Sequence, residues 1–179
     1  EASGHAFAAA LFGDVNPSGK LPILIPENVE DTIPPSTGHW AIYSEGMLTS
    51  YRNQSRNRRA AYPFGHGLSY TTFQIRLLRM LVDQEAWSSH TLQTSSTPLG
   101  SPGQVGPTQD TLVSLEVRVD NQGKLPGAEV VQAYAQFPKD VRAPSLQLRG
   151  FRRTSILPPG GHEILYLHFN VRDFSCYSQ

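Results

Sequence analysis

Leu112-Val-Ser-Leu-Glu-Val-Arg-Val-Asp120 alternates along its length, with Leu115, Val117 and Val119 on one side and Glu116, Arg118 and Asp120 on the other. Successive side chains of an extended chain point to opposite faces, so this period of two predicts a strand with one buried and one wet face. The same spacing recurs on both sides of it. Thr72–Val82 puts Phe73, Ile75 and Leu77 together. Glu129–Phe137 sets Val131, Ala133, Ala135 and Phe137 against Val130, Gln132, Tyr134 and Gln136. Gln147–Ile156 and Glu163–Asn170 follow, the latter with Leu165, Leu167 and Phe169 inward. Turn residues separate these runs at Asn121-Gln-Gly123, Pro126-Gly127 and Pro158-Pro-Gly-Gly161. Short strands so spaced predict a β-sandwich of immunoglobulin or fibronectin type. Ser88–Gln109, rich in Ser, Thr, Pro and Gly, reads as a long mobile surface loop between the first two strands.

Composition agrees with this reading. Fifteen glycines and 14 prolines in 179 residues leave little room for long helices and favour short strands with many turns. Fifteen basic and 15 acidic residues balance to zero, which argues against a nucleic-acid or anionic-membrane partner. The longest apolar runs, such as Ala8–Phe12, are far shorter than the ~20 residues of a membrane span. A single cysteine, Cys176, excludes an internal disulfide and any multi-cysteine zinc site. No pair of histidines has metal-ligand spacing, and neither a Gly-rich phosphate loop nor a Gly-x-Ser-x-Gly elbow occurs. No metal and no cofactor is expected.

Upstream of the sandwich the period changes. Residues 2–12 read as a helix end, with Phe7 and Leu11, and Ala8 and Phe12, forming a buried stripe four residues apart. Gly13 is expected in a left-handed cap. Asp14-Val-Asn-Pro-Ser-Gly19 is a dense turn: Asp14 bonds backbone amides, Pro17 fixes φ and Gly19 takes positive φ. Lys20–Pro26 reads as a strand at an edge or end, because Pro22 lacks an N–H. A helix, a turn and one strand cannot bury both faces, so the unit needs partner strands from upstream. The N-terminus accordingly reads as a cut inside a domain. Residues 27–61 read as irregular, with short extended pieces at Ala41–Gly46 and Met47–Arg52. Glu45, set among apolar residues near Arg52, is expected to form an ion pair or brace the loop. Arg52, Arg56, Arg58 and Arg59 read as a solvated basic cluster. His66 lies between Gly65 and Gly67, which permit close backbone approach, and reads as an interdomain hydrogen-bonding residue. Cys176 reads as a plain thiol. Asn53-Gln-Ser55 matches the N-glycosylation acceptor pattern, which has meaning in a protein secreted from a eukaryote; Asn16-Pro-Ser18 fails it.

Several stretches together resemble glycoside hydrolase family 3. Leu11-Phe-Gly-Asp-Val-Asn-Pro-Ser-Gly-Lys-Leu-Pro22 is similar to the signature near the end of that family's α/β sandwich domain. Tyr43-Ser-Glu-Gly46 followed by Tyr51-Arg52 resembles that family's Tyr-x-Glu-Gly-(x)-Tyr-Arg segment, and Tyr62-Pro-Phe-Gly-His-Gly-Leu-Ser-Tyr-Thr-Thr-Phe73 resembles its passage into a third domain. Val119–Tyr134, Gln147-Leu-Arg-Gly-Phe151 and Val171-Arg-Asp-Phe-Ser175 resemble its fibronectin type III-like domain. Met47-Leu-Thr-Ser50 departs from the aromatic, often glycine-flanked stretch usual there, as does the basic run after Arg52, and the 88–109 loop is longer than the family's.

The resemblance implies a mainly β chain: an immunoglobulin-like, fibronectin type III-like sandwich preceded by a remnant of an α/β sandwich domain. It implies a remnant over 1–61, a linker over 62–72 and a sandwich over 73–179 that stops about two strands short. It also implies a β-glucosidase or β-xylosidase type O-glycosyl hydrolase acting with retention, which needs two carboxyl groups about 5–5.5 Å apart. The family's nucleophile and acid/base precede these motifs, so the resemblance implies no catalytic residue here and an inactive chain when alone. Its role would be structural, with a β-glucoside or oligosaccharide substrate reached through domains outside this chain. Glu45 and Arg52 are the substrate-contact candidates. Gly13, Asp14, Asn16, Pro17, Gly19, Gly65, His66 and Gly67 are the structural motif residues. The resemblance further implies a secreted, extracellular or vacuolar location. The alternative is a stand-alone sandwich that binds carbohydrate or protein without catalysis.

Overall fold

Strand β4 (Thr111–Asn121) is the middle of a three-stranded antiparallel sheet, between β3 (Phe73–Val82) and β7 (His162–Asn170). The computed structural model describes residues 3–33, 38–40, 42–53, 55–56, 59–93, 111–138, 141 and 143–175. It divides into two units: residues 71–135 with 148–177, and residues 1–70 with 136–147.

In the first of these units the alternating residues of β4 and β7 do what their period dictates. Val117 faces Leu165 and Leu115 faces Leu167 across the ladder, and Val113 faces Phe169. Val113, Val117, Val119, Leu165, Leu167 and Phe169 are all buried, and they share one core with Val131 of β5 (Val130–Gln136) and with Leu157. β5 is bonded to β6 (Leu146–Arg153), so the core is shared between two sheets, as a sandwich requires. Each such side chain contributes roughly 1.5–3 kcal/mol by leaving water.

Two irregularities were not legible in the pattern. The β3–β4 register slips between Leu77 and Arg79. Ile75 and Leu77 oppose Val119 and Val117, but beyond the bulge the even-numbered Met80 and Val82 oppose Leu115 and Val113. One extra residue thus puts even-numbered residues opposite the core residues of β4, yet only Phe73 of this strand is half-buried: Ile75, Leu77, Met80 and Val82 are exposed, which corrects the buried face expected of β3. A second slip, between Thr111 and Val113, leaves Leu112 and Val113 both buried although they are adjacent.

Asn121, at the end of β4, is completely buried and fully employed. Its Oδ1 accepts from Thr71 Oγ1 at 2.7 Å and from the Gly123 amide at 3.1 Å, and its Nδ2 donates to the carbonyls of Leu125 (2.8 Å) and Leu157 (2.9 Å). A Cβ at Gly123 would collide with Thr71 Oγ1 and come within 2.8 Å of the Thr72 amide nitrogen, so this turn admits only glycine. On the same sheet Arg76 lies opposite Arg118, a repulsive pair, and Asp120 accepts from both guanidinium groups at 2.9 and 2.8 Å. Those bonds, Arg118 first and Arg76 second, hold the Asp120 carboxyl down at about 2.

The expected loop from Ser88 is corrected over its first six residues. Helix α2 (Gln84–Gln93) follows β3 directly. Asp83 caps it, Oδ1 accepting from the amides of Glu85 and Ala86 at 3.0 and 2.9 Å. Trp87 meets the Phe174 ring edge-on at 6.2 Å, and Phe174 meets Phe169 at 6.3 Å. Residues 94–109 of the expected loop, and Cys176, lie outside the described residues.

The other unit is built differently. Helix α1 (Ser3–Phe12) forms where alanine and leucine predict it, yet none of its residues is buried. Phe7, Leu11 and Phe12 are 70%, 77% and 84% exposed, which corrects the expected buried stripe: no facing layer covers them among the described residues of this unit. The strand expected over Lys20–Pro26 contracts to a bridge at Lys20 with Gly67 and to β1 (Ile25–Pro26), which pairs antiparallel with β2 (Ala60–Tyr62). Pro22 and Pro26 have no N–H to offer a ladder, which limits its length. The extended pieces expected over 41–52 are turns instead. Gly46, at φ 52, closes a turn by donating to the Tyr43 carbonyl at 3.1 Å, and Ser50–Arg52 is a 3-10 turn. No helix among the described residues is long and apolar enough to cross a membrane.

Candidate functional site

The turns over 44–56 wrap a cavity of about 350 Å³ lined by Thr32, Ile33, Ser44, Glu45, Leu48, Asn53 and Arg56. Glu45 enters it from the turn that Gly46 makes possible, where Leu48 N–H donates to the Glu45 carbonyl at 2.9 Å. Its Oε2 is buried and has no hydrogen-bond partner among the described residues. A buried, unpaired carboxylate oxygen is costly, and it is the atom that a hydroxyl or ammonium donor in the cavity would satisfy. Asn53 and Arg56 line it as one local unit, with Asn53 Oδ1 accepting from Arg56 N–H at 3.2 Å and from Ser55 Oγ at 3.0 Å. Behind them Tyr51 packs on Phe64, centroids 4.3 Å apart, and Arg59 reaches Asp31 at 3.6 Å.

Arg52 and Glu45 are not brought together. Arg52 is exposed, is absent from the cavity lining, and no ion pair joins the two among the described residues. Arg56, expected only as part of a solvated cluster, is the arginine that lines the cavity. Arg58 lies outside the described residues. Ser50 has φ 49, a left-handed conformation that disfavours a side chain, and its hydroxyl is buried with no partner among the described residues. The strain falls at the end of Met47-Leu-Thr-Ser50, the stretch that departs from the resemblance.

The structural motif residues lie together in this unit. Gly13 ends α1 at φ 83, as a left-handed cap. The turn after it is held by Asn16 rather than by Asp14: Asn16 Oδ1 accepts from the Tyr70 amide at 2.9 Å and from Ser69 Oγ at 3.2 Å, while Tyr70 Oη donates to the Ala10 carbonyl at 2.6 Å. Pro17 follows within that turn. Gly19 does not take the positive φ expected of it, and nothing lies within 4 Å of where its Cβ would be. Gly65, at φ 80, donates to the Leu21 carbonyl at 2.8 Å, and the Leu21 amide donates to the His66 carbonyl at 2.9 Å. The bond to the His66 carbonyl comes from a neighbour in its own unit, and the His66 ring packs on Tyr62 with centroids 5.1 Å apart. A Cβ at Gly67 would press on the Lys20 side chain. Thus the two glycine-rich stretches, far apart in sequence, form one bonded assembly.

Chemically the cavity offers one carboxylate, one guanidinium, one amide and two hydroxyls. Retaining glycoside hydrolysis needs two facing carboxyl groups, and the lining contains only Glu45. No group of three metal-ligating side chains occurs among the described residues.

Residues 1–70 match the glycosyl hydrolase family 3 C-terminal domain, and residues 129–179 match the fibronectin type III-like domain. A probable β-glucosidase D of Aspergillus oryzae is 36% identical over 180 residues, covering 98% of this chain and 23% of that protein. The chain belongs to glycosyl hydrolase family 3. Among solved structures of related proteins, the β-D-glucoside glucohydrolase of Trichoderma reesei superposes with a TM-score of 0.75 at 31% identity, over 96% of this chain and 24% of its own. β-Glucosidase 3B of Thermotoga neapolitana in complex with glucose gives 0.74 at 29% identity, over 98% and 22%. The chain therefore spans about a quarter of the length of the relatives it matches, their C-terminal portion. The family's C-terminal domain match covers the unit with the cavity, and the fibronectin-like match covers β5, β6 and β7.

Proposed function

We infer that this chain is the accessory C-terminal region of a retaining β-glycosidase that removes terminal β-linked glucose, or xylose, from β-glucosides and oligosaccharides. What carries this reading is the ordered pair of family matches, 1–70 then 129–179, together with relatives described as β-glucosidases. In this reading residues 1–61 complete the α/β sandwich domain, 62–72 link it onward, and 73–179 brace it. The two catalytic carboxyl groups belong to parts of the enzyme outside this chain, and Glu45 at most contacts substrate from the side. A neutral-sugar substrate suits a chain with zero net charge, with no cofactor and no nucleic-acid or membrane partner. The location is extracellular or vacuolar.

The purified chain should release no glucose from an aryl β-glucoside above the buffer rate. Turnover by the chain alone would sink the reading. Calorimetry with cello-oligosaccharides at millimolar concentration separates the accessory role from the alternative of an independent sugar-binding module, since heat of binding there supports the latter.

A further inference from the structure

The cavity wall carries a feature that the accessory role leaves unused. Asn53-Gln-Ser55 is the single Asn-x-Ser/Thr triplet of the 179-residue sequence with a residue other than proline in the middle. Its geometry identifies the two ends of the Asn53 carboxamide. The branch that receives the Arg56 backbone N–H at 3.2 Å must be oxygen, because an N–H can only donate. The Ser55 hydroxyl donates to that same oxygen at 3.0 Å. The nitrogen is therefore the other branch, and it makes no hydrogen bond to a described residue. The carboxamide is held by its oxygen end, with the amide nitrogen left available.

The surroundings favour a large polar attachment. Asn53 ends the Ser50–Arg52 turn in an extended conformation, φ −84 and ψ 90, and it belongs to no ladder that a substituent would break. It is half-buried at the edge of an open cavity, with Arg52 and Ser55 exposed beside it. The same stretch shows Tyr43, Met47 and Leu48 to solvent, apolar surface that a sugar chain would screen from association.

We propose that Asn53 is a covalent N-glycosylation site. Its Nδ2 displaces a lipid diphosphate from the anomeric carbon of a lipid-linked oligosaccharide. The new C–N bond replaces the sugar–phosphate C–O bond, the diphosphate leaves with the lipid, and one amide proton passes to base. Transfer occurs as the chain enters a secretory lumen, and the folded loop then accommodates the product. The proposal rests on the extracellular or vacuolar location inferred above, so its test must deliver the chain there independently.

The full 179-residue chain, behind a cleavable secretion leader, is translated with endoplasmic-reticulum microsomes, and only protease-protected chains are scored. The expected result is a single mobility step reversed by endoglycosidase. It is lost in Asn53→Gln and Ser55→Ala and kept in Ser55→Thr. Peptide mapping after peptide N-glycosidase should find the Asn53 side chain converted to a carboxylate. Protected wild-type chains that run unshifted would overturn the proposal, as would a shift that survives Asn53→Gln. Because the leader supplies delivery and the assay needs no sugar hydrolysis, failure here and failure of the accessory reading are separate results.

Discussion

The sandwich unit and the N-terminal unit use similar amounts of apolar sequence to opposite effect. In β4 and β7 the alternating Val and Leu residues meet a second sheet, and Val119 ends fully buried. In α1 the helical stripe is just as regular, and Phe7, Leu11 and Phe12 stay exposed. Periodicity therefore decides which element forms, whereas burial depends on whether a facing layer exists. An amphipathic pattern is half of a contact, and the hydrophobic free energy appears only when the other half is present.

Removing side chains from each unit tests this comparison. Leu167→Ala, which empties part of the shared core, should cost about 2–5 kcal/mol of unfolding free energy in denaturant titration. Phe7→Ala in the helix should stay within about 0.5 kcal/mol. A similar cost for both would mean that α1 is covered after all. Next in size is the buried polar anchor. Asn121→Ala removes the donor to the Leu125 carbonyl, the acceptor of the Gly123 amide and one bond each from Thr71 and the Leu157 carbonyl, and should cost roughly 1–3 kcal/mol for each buried group that water cannot reach. A change below about 0.5 kcal/mol would show that water replaces the amide without penalty.

Ser50→Gly works in the opposite direction, in the unit with little core. It removes a left-handed strain and a buried unpaired hydroxyl, and should stabilise the fold by about 1 kcal/mol, seen as a raised thermal midpoint. A lowered midpoint would mean that the hydroxyl has a partner after all. The smallest effect belongs to Asp120. Its carboxyl sits at about 2 in the fold against an ordinary 3.8, so its stabilising effect is complete above 3.8 and fades as pH falls through 2. Asp120→Asn should therefore lie below the parent near neutral pH, where Arg76 and Arg118 face each other unrelieved, and converge with it near pH 2. Parallel stability curves across that range would remove the carboxylate from the account.

Much of the sandwich was legible, and for a clear reason. Leu165, Leu167 and Phe169 are inward because a two-residue period admits one assignment of faces. The bulge near Leu77 was not, since it carries no glycine or proline and arises from fitting β3 to β4. Helix α2 was missed because its signal, Asp83 ahead of Gln84-Glu85-Ala86, is a cap without an apolar stripe, and Ser-rich composition after Trp87 pointed to a loop. At the cavity, Glu45 stood out as a carboxylate among apolar neighbours. Arg52 was expected beside it, whereas the arginine that lines the cavity lies four residues later, next to a backbone bond to Asn53 that sequence spacing does not reveal.

Asn121 has a consequence in time as well as in energy. Two of its partners, Thr71 and Leu157, lie 50 and 36 residues away along the chain, so those two bonds close only after both distant segments have arrived, whereas the bonds to Gly123 and Leu125 are local. Bonds that wait on two distant segments are expected to be made mostly after the transition state, at low φ. The Asn121→Ala variant should consequently fold at nearly the parent rate and unfold faster, a split that stopped-flow kinetics reads directly; slowed folding with an unchanged unfolding rate would place the anchor in the nucleus instead. On that outcome one amide would set how long the sandwich persists once made, and have little say in how quickly it is found.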